Sequence, residues 1–167
     1  MKRLYLIRHA KSSWKDPDLT DMERPLNKRG KHDAPFMGER LSRYNVQPDL
    51  LISSPAKRAL STAKLIAKEI GYPSKDIAAN ESAYLAGVPS LLNTIHGIDD
   101  SHSRVMLFGH NPGLTELAVY LSNHHVDNIP TCGIFCIDFD VDSWKDVSER
   151  TGSFAFFDYP KKHQLTS

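Results

Sequence analysis

With 167 residues, 40% of them hydrophobic and 25% charged, the chain is long enough for one domain with a sizeable core and has an ordinary globular composition. The balance of 21 Lys and Arg against 20 Asp and Glu lacks the basic excess of a nucleic-acid binder, so no nucleic-acid partner is expected. No apolar run approaches a membrane span, and the run at 4–7 is too short for a signal peptide, so no membrane association and a cytoplasmic location are expected.

Residues 4–7 read as a short, fully buried strand of the kind found in parallel sheets covered on both faces. Residues 11–26, charged and interrupted by Pro17 and Pro25, read as a loop. Ala34, Met37 and Leu41 predict a helix over 28–43, with Pro35 expected to kink or delay it. A second strand is predicted at 49–52. Ser53-Ser54-Pro55 then predicts a helix start with a serine cap and proline in the first turn, and Gly71 its end. A short strand at 77–79, a helix near 89–95 and a buried strand at 105–108 follow. Asn111-Pro112 repeats the capping device for a helix reaching about Leu121. Two strand-like runs, 133–139 and 153–157, flank a charged loop at 142–150. Cys132 and Cys136 are expected to be buried free thiols, which implies a reducing compartment. Residues 161–167 are expected to be a polar, frayed tail. The alternation of strands and helices predicts a single α/β domain over 1–160, a mostly parallel sheet with helices on both faces.

The polar residues collect at one kind of place. Arg8-His9 follows the first strand, and Ser53-Ser54 the second, with Arg58 one turn further on. Glu81 follows the short third strand, and Gly109-His110 the fourth. Ligands of open parallel sheets bind at the carboxyl ends of strands, so these segments converge on one edge. Two arginine forks, two histidines and two helix N-termini make an anion site suited to phosphate. His9 is the candidate nucleophile, with Arg8, Arg58 and His110 stabilising charge on the phosphoryl oxygens. Ser12 could donate to phosphate or merely cap a turn. Glu81 is the nearby candidate for a general acid, although a loop carboxylate is its default role. There is no Walker-type loop and no acidic cluster for Mg²⁺, so no metal and no cofactor are expected. His124-His125 lacks a carboxylate at ligand spacing and reads as surface.

Leu6-Ile7-Arg8-His9-Ala10-Lys11 with Phe108-Gly109-His110-Asn111-Pro112-Gly113 resembles the histidine phosphatase, or phosphoglycerate mutase-like, superfamily. Ser53 to Ala59 with Thr62-Ala63, and Arg24-Pro25-Leu26-Asn27 with Arg29-Gly30, extend the match from residue 4 to about 139. The short length and the Arg-His-Ala-Lys form are similar to the small SixA-like phosphohistidine phosphatases. The resemblance implies a three-layer fold, His9 as nucleophile, and Arg8, Arg58 and His110 as the phosphate pocket. It implies a phosphorylated substrate, either a phosphohistidine-carrying protein or a small phosphoester. Larger members carry a clear acid in an inserted segment over the site; here that stretch is short, which leaves Glu81. Two other readings stay open: a mutase returning the phosphoryl group to another hydroxyl, and a phosphate- or phosphopeptide-binding module without catalysis.

Overall fold

The computed structural model describes residues 1–164. Its strands and helices follow in the order β1 (Lys2–Arg8), α1 (Lys28–Arg43), β2 (Leu50–Ser53), α2 (Lys57–Ile70), β3 (Ala78–Ala79), α3 (Val88–His96), β4 (Arg104–Gly109), α4 (Gly113–Ser122), β5 (Ile134–Phe139) and β6 (Gly152–Asp158). The six strands form one sheet in the order β3-β2-β4-β1-β5-β6. The first four run parallel, and β5 and β6 pair antiparallel at one side.

Strand side chains alternate between faces, and here both faces are dry. Leu4, Leu6, Val105 and Leu107 point into a core shared with Leu91 and Ile95 of α3 and Leu114, Leu117 and Leu121 of α4. Tyr5, Ile7, Met106 and Phe108 point the other way, toward Ala34 and Met37 of α1 and Ala63 and Ile66 of α2. This double burial is why β1 and β4 read as continuous apolar runs. Each fully buried Leu, Ile or Phe contributes about 1.5–3 kcal/mol.

Local details depart from the sequence expectation in four places. Helix α1 runs unbroken through Pro35, with the Asn27 side chain accepting from Gly30 N at its start. Helix α2 begins at Lys57 rather than at Pro55; the Ser54 hydroxyl accepts from Ala56 N at 3.2 Å, ahead of the helix, and from His110. Helix α4 begins at Gly113; the Asn111 carbonyl accepts from Thr115 N, while its amide donates to Ile129 O and so ties the helix start to the loop before β5. The expected frayed tail is anchored in part. Pro160–His163 forms a 3-10 turn, with His163 bound to Asp158 and Lys162 Nζ donating to Phe157 O at 3.1 Å. Residues 165–167 of that tail lie outside the described residues.

The topology creates the crevice. From β1 the chain crosses one face through α1 to reach β2; from β4 it crosses the other face through α4 to reach β5. Neighbouring β1 and β4 therefore send their continuations apart, which opens a cleft at their carboxyl ends. His9 N donates to Gly109 O at 3.1 Å across this point.

Candidate active site

His9 and His110 emerge side by side from β1 and β4, with ring centroids 5.2 Å apart. Both are buried, as is Arg58 on the first turn of α2. His9 Nδ1 lies 2.7 Å from the Ala10 carbonyl oxygen. A carbonyl can only accept, so Nδ1 carries the ring proton and Nε2 keeps its lone pair. Ala10 is itself held by Thr62, whose hydroxyl accepts from Ala10 N at 2.9 Å and donates to Arg58 O at 2.7 Å.

The tautomer of His110 is fixed by its partners as well. An Arg58 nitrogen donates to Nδ1 at 3.4 Å, so the proton sits on Nε2 and is donated to Ser54 Oγ at 2.7 Å. Burial is the main cause of the low basicity of both rings. It takes His9 from 6.5 to about 4, helped by the charges of Arg58, Arg8 and Arg24. It takes His110 from 6.5 to about 3, helped by His9 and Arg58. Both imidazoles are neutral near pH 7.

Arg8 donates to Ile129 O at 3.1 Å, and burial lowers its pKa. Its Nε is a buried donor with no partner among the described residues. Such a group is costly in a finished core and is expected where an acceptor arrives with a ligand.

Asp21, unremarked in the sequence, joins the pocket together. Its carboxylate accepts from Arg58 at 2.9 Å, from Arg24 at 3.0 Å and from the Tyr84 hydroxyl, while its backbone carbonyl accepts from Arg58 at 2.7 Å. The Tyr84 hydroxyl and the two guanidinium groups hold its pKa down at about 2. The Tyr84 ring packs edge-on against His110, with centroids 5.5 Å apart. Arg24, also buried, donates to Ser13 O at 3.2 Å and to Ser12 Oγ.

Arg8, His9, Arg58 and His110 are thus brought together at the expected sheet edge. Ser12 sits at the end of this network, occupied by Arg24. Glu81, itself exposed, opens the 3-10 turn Glu81–Ala83, and its side chain makes no hydrogen bond or ion pair among the described residues. Asp21, Arg24, Tyr84 and Ser54 escaped the sequence reading as individual site residues. The only signal for Arg24 was its place in a family motif, and Tyr84 and Asp21 lie in stretches without periodicity. Among the described residues no group of three or more His, Cys, Asp or Glu is placed to hold a metal ion. His124 stacks on Phe154 and His125 pairs with Asp127.

Residues 4–80 match the model of the histidine phosphatase superfamily, branch 1. A chloroplastic, uncharacterised protein of Arabidopsis thaliana is 32% identical over 159 residues, covering 90% of this chain and 72% of that protein. SixA of Agrobacterium tumefaciens superposes with a TM-score of 0.79 at 25% identity, covering 95% of this chain and 98% of the other. A protein histidine phosphatase SixA complexed with tungstate superposes with a TM-score of 0.83 at 18% identity, covering 97% and 99%. The chain belongs to the histidine phosphatase superfamily and has the fold of its small SixA-like members.

Proposed function

We propose that the chain is a metal-independent phosphatase working through a phosphohistidine on His9. The observation that carries this reading is the His9 tautomer: Nδ1–H is spent on Ala10 O, leaving a bare Nε2 near the buried Arg58 and Arg24 and the half-buried Arg8. In the first step Nε2 forms a bond to phosphorus while the bond to the leaving group breaks. Arg8 and Arg58, with their fixed forks, neutralise charge on the phosphoryl oxygens, the largest demand of phosphoryl transfer. In the second step water forms a new P–O bond, the P–N bond breaks, and inorganic phosphate leaves with His9 restored. Asp21 is held ionised by its three donors and so is a poor proton source. That favours substrates whose leaving group needs little help: phosphohistidine on a protein, or an aryl phosphate.

The test is to quench turnover of an aryl phosphate and analyse the protein. Phosphate should be recovered on His9, in a linkage labile to acid and stable to base, and His9→Ala should yield none. Base-labile phosphate, or undiminished labelling of His9→Ala, would sink the mechanism. Absence of turnover with retained phosphate binding would favour the binding-module reading.

A further inference from the structure

Trp14 lies in the loop after β1 and is 77% exposed. A single exposed apolar side chain needs no explanation, but this one is held in place. The Arg24 guanidinium lies over its ring, 3.2 Å from the centroid, as a cation–π contact. Arg24 cannot drift, because Ser12, Ser13 and Asp21 each take one of its hydrogen bonds. Asp21 in turn binds Arg58, and the Arg24 charge is felt at His9. The indole is therefore fixed on one face and open to water on the other, and it is linked to Arg58 through Arg24 and Asp21 by three successive contacts.

A second apolar side chain stands on the other segment that meets Asp21. Leu85 is 57% exposed and follows Tyr84, whose hydroxyl binds Asp21. Its φ of 47° is unusual for a non-glycine residue. Backbone of this kind clusters at ligand clamps.

We propose that Trp14 is the leaving-group platform of this site. Its free face stacks the planar ring that carries the phosphoryl group, imidazole or aryl, and Leu85 forms a second apolar wall. This rests on the phosphatase reading above and adds a preference within it: planar leaving groups gain a contact that alkyl ones cannot make.

The test needs no turnover. Phenylphosphonate and methylphosphonate present the same anion with and without a ring, and their binding is followed by calorimetry. Wild type should bind phenylphosphonate roughly threefold to tenfold more tightly, the range of one aromatic stacking contact. Trp14 emission should shift with phenylphosphonate alone; Trp144 is buried and serves as the internal reference. Trp14→Ala should erase the preference and leave methylphosphonate affinity unchanged, and Trp14→Phe should keep most of it. A preference that survives in Trp14→Ala would overturn the platform. So would an equal loss for both phosphonates, which would make Trp14 merely a support for Arg24. If wild type binds neither phosphonate, the phosphate-site reading itself falls, and the platform with it.

Discussion

A histidine can attack phosphorus only while its ring is neutral, and burial secures this for His9. The unfolded chain takes up protons on His9 and His110 from about pH 6.5 downward. The folded chain resists until about 4 and about 3 respectively. In that window the unfolded state binds more protons, so stability falls as pH falls below about 6.5 and is independent of these groups above it. For His9 the whole effect is roughly 3 kcal/mol. The imidazole NMR signals of both residues should hold steady from about pH 8 to about 5; a midpoint near 6.5 in the folded protein would contradict the buried-neutral state. Glu81 belongs to the same scale. Its exposed, unbonded side chain is a weak candidate for protonating a leaving group. We expect kcat/KM across a series of aryl and alkyl phosphates to depend steeply on leaving-group pKa, with Glu81→Gln changing little. A flat series that turns steep in Glu81→Gln would make Glu81 the general acid.

Two close tolerances lie where a loop meets the first turn of a helix. The loop after β1 returns to α1 so tightly that a Cβ on Gly30 would overlap the Lys11 carbonyl oxygen. At the start of α4, a Cβ on Gly113 would overlap the Ala86 carbonyl oxygen, just beyond Tyr84 and Leu85. Gly113→Ala should therefore destabilise by about 1–3 kcal/mol and weaken phosphate binding, because the segment bearing Tyr84 must retreat. Gly97→Ala is the control: its Cβ would meet only ordinary contacts, and less than about 0.5 kcal/mol is expected. Urea unfolding of both variants decides this; equal, small effects would show that the Ala86 segment yields freely. Around Pro35, by contrast, packing overrides a local defect. Burial of Ala34, Met37 and Leu41 against α2 and the sheet outweighs one missing backbone donor, and α1 stays whole.

At the scale of the molecule, the pocket joins the ends of β1 and β4, the first turn of α2 and the loop at Asp21. An oxyanion held there bridges segments that separate on unfolding, so binding should stabilise the whole chain by mass action. At about a hundredfold excess over Kd, tungstate should add about 2.7 kcal/mol, or a rise in Tm of about 5–10 °C for a chain of this size. A chelator should not change the rise, and Arg58→Lys, which keeps the charge but loses the fork, should remove most of it. No rise in wild type, or a rise abolished by chelator, would contradict an arginine-built, metal-independent site.

Features that depend on short-range pattern are legible in the amino-acid sequence alone. Continuous apolar runs marked β1 and β4, a period near four residues marked α1 and α2, and the ends of β1 and β4, carrying Arg8, His9 and His110, with Arg58 one turn into α2, marked the candidate site. Motif resemblance added the family. Capping chemistry was less legible: Ser54 and Asn111 have the residue types of helix caps, yet Ser54 is spent on His110 and Asn111 links α4 to the loop before β5. The Asp21 network exists only in the packed fold. Asp21, Arg58 and Tyr84 are 37 and 63 residues distant from one another along the chain, counting from Asp21. Their meeting follows from the crossover of the sheet and leaves no local periodicity to read. The proton position on His110 was likewise out of reach, because Arg58 and Ser54 meet its two ring nitrogens only once β2, β4 and α2 have packed.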